Sequence, residues 1–196
     1  THAITGGTGG LGLLTARWLS DCGASRLVLA SRSGKRSPDS ASEWSRLTAK
    51  EKNAEVVIQR CDSADDGHVQ RLTACMLGQL EGIWHAAGVL SDSVLPSQTA
   101  STMRFVYSPK VYGAWALQHA STAFPLHVFL QFSSMAALLG NPGQANYSSA
   151  NACLDALASC RRSLGLPASS VQWGPWGQVG MAAAGVAANR LVANGF

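Results

Sequence analysis

Thr5-Gly6-Gly7-Thr8-Gly9-Gly10-Leu11-Gly12 is the stretch on which the reading of this chain turns. It satisfies GxGxxG from Gly7 to Gly12 and TGxxxGxG from Thr5 to Gly12. A short apolar strand at 2–5 precedes it, and a segment with helical periodicity at 10–21 follows. Glycines at such a junction let the backbone turn sharply and approach a pyrophosphate. The helix starting near Leu11 then points its N–H groups and its positive dipole end at that charge. Alone the pattern is weak; as the opening of a βαβ unit it predicts a dinucleotide site.

The same alternation continues outward. Further strands are expected at 26–31, 55–60, 82–86, 127–133 and 169–173, with helices near 38–53, 65–80, 99–120 and 144–164. Pro38 fits a helix start, and Gly165 followed by Pro167 fits a helix stop. Apolar strands alternating with helices predict an α/β fold, a doubly wound parallel sheet with helices on both faces, the Rossmann arrangement. The length of 196 residues suits one such domain, 1–196. Charged residues are 13% of the chain against 46% hydrophobic, which excludes disorder and suggests that other parts of a larger assembly cover some of the surface.

Several classes drop out. No apolar run approaches the ~20 residues of a membrane span. Thr1-His2-Ala3-Ile4 has neither an initiator Met nor a secretion signal, so the chain reads as a fragment of a larger polypeptide, truncated at its C-terminal end. Residues 179–196 are rich in Ala and Gly and read as a lid or a partial C-terminal segment. The net charge of +4 is mild and dispersed, which argues against nucleic acid and leaves room for a phosphorylated cofactor or an acidic carrier protein. Five cysteines without a CxxC pair make neither a metal site nor a disulfide framework. They read as reduced, mostly buried thiols of a cytoplasmic protein.

The end of the second strand bears on the cofactor. An Asp or Glu roughly 20 residues past the glycines would hold the ribose 2′-hydroxyl of NAD. This chain has Ser31-Arg32-Ser33, and a guanidinium pairs with a 2′-phosphate, so NADPH is favoured. Cys61-Asp62 follows the third strand; Asp62 either accepts from the adenine amino group or caps the next turn. Ala86-Ala87-Gly88, after the fourth, is small enough for ribose and nicotinamide to lie on the backbone. Ser134 ends the fifth strand, and Tyr147, thirteen positions on, begins a helix with Asn151 one turn later on the same face. That interval lets serine and tyrosine converge at the carboxyl edge of the sheet, where ligands bind in this architecture.

Together these residues resemble the short-chain dehydrogenase/reductase superfamily, with one exchange. Its Tyr-x-x-x-Lys is absent because Asn151 takes the lysine position, while Lys110 stands on the preceding helix in Ser108-Pro109-Lys110-Val111-Tyr112. In this the chain looks like the catalytic subdomain of a type I polyketide synthase ketoreductase, as do His85-Ala86-Ala87-Gly88-Val89-Leu90, Gly143-Gln144-Ala145-Asn146-Tyr147 and Trp173-Gly174-Pro175-Trp176. The resemblance implies NADPH-dependent reduction of a β-ketoacyl thioester carried on the phosphopantetheine of an acyl carrier protein, beside neighbouring synthase domains that include a structural subdomain. Fatty acid synthase ketoreductases, free-standing carbonyl reductases and inactive scaffold or epimerising domains are the alternatives.

It further implies that Tyr147 is the acid, Lys110 lowers the phenol pKa and binds the cofactor ribose, Ser134 bonds the carbonyl, and Asn151 holds the lysine or a relay water. Leu90-Ser91-Asp92 keeps part of a Leu-Asp-Asp motif associated with a D-β-hydroxyl product. Gln131 and the loop at 90–92 are expected to flank opposite sides of the substrate, and Met181 to begin the lid.

Overall fold

The computed structural model of the chain describes residues 1–37, 40–49 and 54–176. Six parallel strands form one sheet: β1 (His2–Thr5), β2 (Arg26–Ser31), β3 (Glu55–Arg60), β4 (Gly82–His85), β5 (Val128–Ser134) and β6 (Ser169–Trp173). Their order is β3-β2-β1-β4-β5-β6, so the winding reverses between β1 and β4 and opens a crevice there at the carboxyl ends. Alternate residues of each strand feed two separate cores. Ile4, Leu27, Leu29 and Trp84 meet Leu13, Ala16 and Leu19 of α1 (Gly10–Asp21) and Leu47 of α2 (Ala41–Leu47). Ala3, Val28, Ile83 and Phe129 meet Val69 and Leu72 of α3 (Asp66–Ala74) and Ala116 and Leu117 of α5 (Gly113–Ala120). Both faces are covered, which is why the strands read as unbroken apolar runs.

The expected strands at 2–5, 26–31, 55–60 and 169–173 are the observed ones, and the other two differ by one residue at one or both ends. The helix expected at 10–21 is α1 with those bounds, and the other helices are shorter. Within the described residues α2 ends at Leu47, with Pro38 outside them, and α3 ends at Ala74 before a turn that passes through Gly78 at φ +75°. The helix expected at 99–120 is three pieces: α4 (Ala100–Tyr107), a π-helical turn (Ser108–Tyr112) and α5. Pro109 has no N–H to bond the preceding turn and its ring crowds that turn's carbonyl, so the spiral widens. Widening places Pro109, Lys110 and Val111 side by side in the interior. After β5 come α6 (Ala136–Leu139) and the long α7 (Ala145–Ser163).

The thiols depart from expectation. Cys22, Cys75 and Cys160 are exposed, Cys153 is half-buried and only Cys61 is fully buried. Cys22 and Cys75 stand at helix ends, which face water by construction. The segment 179–196, with Met181, lies outside the described residues.

Candidate active site

The crevice between β1 and β4 is an open cleft of about 370 Å³, floored by the glycine loop and walled by Ser31, Arg32 and Ser33 on one side and Ala86, Ala87 and Gly88 on the other. Every residue of Thr5–Gly12 except Gly7 lines it, as do Cys61 and four residues not foreseen: Ala30, Ser63, Val89 and Pro109. Gly7 serves the loop from below. A Cβ there would stand 2.6 Å from the Ile4 carbonyl oxygen and 2.8 Å from Leu29 Cα. At Gly12 it would stand 2.3 Å from the Gly6 oxygen and 2.6 Å from Gly7 Cα. Gly6 itself has φ +66°, open to glycine and costly for most other residues. At Gly6, Gly7 and Gly12 the loop is therefore packed too tightly against backbone for a side chain.

Gly9 caps α1, so the first-turn N–H groups of that helix have no intrahelical acceptor and open onto the cleft. A backbone cradle at a helix N-terminus, with the exposed guanidinium of Arg32 at the rim, fits a dinucleotide that carries an additional phosphate. Asp62 shows the capping contact expected of it. Its Oδ1 accepts from the Ala64 N–H at 3.1 Å, capping the turn, and it does not line the cleft.

Lys110, Ser134 and Tyr147, the expected catalytic residues, gather at the carboxyl end of β5. The π-helical turn drives Lys110 inward until it is 3% exposed, and its Nζ donates to the Phe132 carbonyl at 2.9 Å. The same ammonium lies 5.3 Å from the ring centroid of Tyr147. Burial pulls the Lys110 pKa down to about 7, opposed by the charge of Asp155. For Tyr147 burial dominates as well: it pushes the phenol above its ordinary value, while the side chains of Asn151 and Ser134 act the other way. The expected depression of the phenol by Lys110 is thus not what governs this protein, because removing a phenolate from water costs more than a nearby cation over the ring returns. Ser134 accepts from the Ala136 N–H at 3.2 Å, which steadies its oxygen at the strand end.

Asn151 is wholly buried, and its Nδ2 donates to the Tyr147 carbonyl at 2.8 Å, one turn back along α7. Its Oδ1 has no partner among the described residues, and the lysine bonds Phe132 rather than Asn151.

His85 ties the two halves of the site together. Its Nε2 meets the Lys110 carbonyl at 2.9 Å and its Nδ1 meets Thr5 Oγ1 at 2.7 Å. A carbonyl only accepts, so Nε2 carries the proton and the Thr5 hydroxyl donates to Nδ1. Burial lowers the His85 pKa to about 4, which keeps the ring in that neutral form. The glycine loop and the lysine turn are thereby referenced to one fixed ring.

Gln131 does not flank the substrate. It is wholly buried beneath α7, where its Nε2 donates to the Leu154 carbonyl at 3.2 Å, because strand alternation turns it to the helix-covered face. The loop at 90–92, by contrast, borders the start of α7. Gln144 Nε2 donates to both Asp92 oxygens, at 3.2 and 3.1 Å, and Asn146 Nδ2 donates to the Ser91 carbonyl at 2.8 Å. The Ser93 N–H adds a bond to the Gly143 carbonyl at 2.8 Å. Asn146 Oδ1 in turn accepts from the Tyr147 N–H at 2.7 Å, so this fully buried amide sets the start of α7. Gln144 and Asn146 stand in the stretch Gly143–Tyr147 that the sequence reading quoted for its resemblance, but no role was expected of either.

A family model described as KR domain matches residues 1–178. A phenolphthiocerol/phthiocerol polyketide synthase of Mycobacterium tuberculosis is 44% identical over 94% of this chain, which spans 10% of that protein. The polyketide synthase GfsB of Streptomyces halstedii is 45% identical across 100% of the chain, which spans 4% of it. Among solved structures, an A1-type ketoreductase superposes with a TM-score of 0.89 at 40% identity, covering 97% of this chain and 40% of that one. A levodione reductase, at 22% identity and a TM-score of 0.76, shares the fold.

Proposed function

The chain belongs to the KR domain family of polyketide synthase ketoreductases, within the short-chain dehydrogenase/reductase superfamily, and on that premise we propose that it reduces a β-ketoacyl thioester to the β-hydroxyacyl product with NADPH. Bound in the cleft, NADPH would supply the hydride. As hydride reaches the keto carbon, the carbonyl electron pair moves onto oxygen, and Tyr147 gives that oxygen its proton. Ser134 donates a hydrogen bond to the same oxygen, and Lys110 supplies positive charge beside the phenol. The observation that supports this most is the convergence of Lys110, Ser134 and Tyr147 at the strand ends that also carry the glycine cradle.

We extend the proposal to an acyl chain borne on the phosphopantetheine of a carrier protein, with 1–196 as the catalytic subdomain of a larger cytoplasmic synthase and neighbouring synthase domains as partners. The D configuration is proposed for the alcohol, on Leu90 and Asp92 of the loop fastened to the start of α7. The test is oxidation of NADPH, followed by absorbance, with a β-ketoacyl pantetheine thioester. Stoichiometric β-hydroxyacyl product is expected, and a chain that binds NADPH but reduces no such thioester overturns the reading. Chiral chromatography of the product checks the configuration, and a predominantly L alcohol refutes it.

A further inference from the structure

We infer that Lys110 is placed by the wall of the cofactor cleft rather than by its own helix, and that His85 and Ser63 are the positioning residues responsible, each holding one backbone carbonyl of the π-helical turn. The inference rests on the reductase reading above.

A π-helical turn is a rare interruption of an α-helix, found mostly as a single turn and often at functional sites. Here the Gly113 N–H reaches back five residues, to the Ser108 carbonyl. Two successive carbonyls inside the turn are held by side chains of other elements. The Lys110 carbonyl accepts from His85 Nε2 at 2.9 Å, and the Pro109 carbonyl from Ser63 Oγ, on the loop after β3, at 3.4 Å. The same two side chains carry the start of α5. A Cβ on Gly113 would stand 2.9 Å from Ser63 Oγ and 3.1 Å from His85 Cε1, so the helix lies directly on the pair. Both side chains are buried, and each bond is made largely away from water.

Both donors belong to the cofactor side. The other ring nitrogen of His85 accepts from Thr5 Oγ1 at 2.7 Å, and Thr5, Ser63 and Pro109 all line the cleft beside the glycine loop. The Thr5 hydroxyl also fixes the tautomer. While it donates to Nδ1, the proton stays on Nε2, the nitrogen that faces the Lys110 carbonyl. Glycine loop, imidazole and lysine carbonyl thus form one chain of hydrogen bonds across the winding reversal between β1 and β4. A dinucleotide in the cleft would touch Thr5, Ser63 and Pro109, and through them set the backbone from which Lys110 Nζ reaches the Phe132 carbonyl.

The test uses the full chain, with kcat measured on a β-ketoacyl pantetheine thioester at saturating NADPH, NADPH affinity read from fluorescence, and Tm alongside. His85→Gln keeps an N–H of similar reach to the Lys110 carbonyl, whereas the shorter His85→Asn keeps only an acceptor for Thr5. A reactive group displaced by about 1 Å loses on the order of 100-fold in rate. His85→Asn is therefore expected to lower kcat about 100-fold, and His85→Gln to stay within about 10-fold of the parent at a Tm similar to that of His85→Asn. Gly113→Ala favours the helix intrinsically but lifts it off His85 and Ser63, and should also lower kcat about 100-fold. Nitrogen NMR of the unaltered protein should show His85 protonated at Nε2 alone, while Thr5→Val should give a mixture of tautomers and a slower enzyme. Equal kcat in His85→Asn and His85→Gln, or a Gly113→Ala enzyme as fast as the parent, overturns the inference. So does a proton on Nδ1 of His85 in the unaltered protein, a result that needs no variant to fold. A chain with the Nε2 tautomer that binds NADPH yet reduces no β-ketoacyl thioester would overturn the functional reading alone.

Discussion

Lys110→Met should make the protein inactive and more stable at once, with a gain that depends on pH. Burial holds the lysine at about 7 in the folded chain against 10.5 when unfolded. Between those values the unfolded chain binds the additional proton, so stability rises with pH across that window. Below it both states are charged, and the folded state bears the whole penalty, about 5 kcal/mol for a displacement of that size. Methionine fills the same unbranched volume without charge. Against the gain stands the Phe132 carbonyl, which loses a charged donor worth about 2 kcal/mol. The net expectation is a Met variant about 3 kcal/mol more stable at pH 6, with the advantage shrinking through pH 8 and gone by pH 10. Urea unfolding followed by tryptophan fluorescence at the three pH values measures it. A variant less stable than the parent at pH 6, or a difference that does not change with pH, would refute the reasoning.

Four further substitutions probe the remaining parts of the site. Arg32→Ala should weaken NADPH by about 2 kcal/mol, roughly 30-fold, and leave NADH nearly unchanged; equal weakening in a fluorescence titration would remove Arg32 from the 2′-phosphate. Tyr147→Phe should lower kcat by about 10²–10⁴-fold with NADPH affinity preserved, and near-normal turnover would exclude the phenol as the acid. Gly12→Ala drives a Cβ to 2.3 Å from the Gly6 oxygen, backbone that must shift, whereas Gly9→Ala meets the same oxygen at 3.3 Å. The first should cost about 1–3 kcal/mol and abolish cofactor binding while the second is mild, and equal Tm losses would contradict the packing of the loop.

Hydrophobic alternation carried most of the fold because burial on two faces writes the strands as apolar runs, and β2 and β3 are bounded as they read. Helix ends were less legible, since turn formation depends on contacts made after the chain has folded. The glycine loop was readable for a steric reason: where a Cβ would strike backbone, glycine is the residue that remains. Gln131 was misplaced because nearness to Ser134 along the chain says nothing of strand parity, and an odd separation of three puts the two on opposite faces. The clamp of Gln144 and Asn146 on residues 91–92 joins segments more than fifty positions apart, and no local pattern announces it.

The sequence by itself determined the alternation of strands and helices, the backbone cradle and the residue types that chemistry of this kind requires, because each is set by local sterics or by periodic burial. Tertiary structure alone decided their electrical state. The π-helical turn removes Lys110 from water, Phe132 and Asp155 stand where they do because β5 and α7 are stacked, and burial governs both Lys110 and Tyr147. A pKa depends on the solvent and charges surrounding a group in three dimensions, and those surroundings come into being when the chain closes around it.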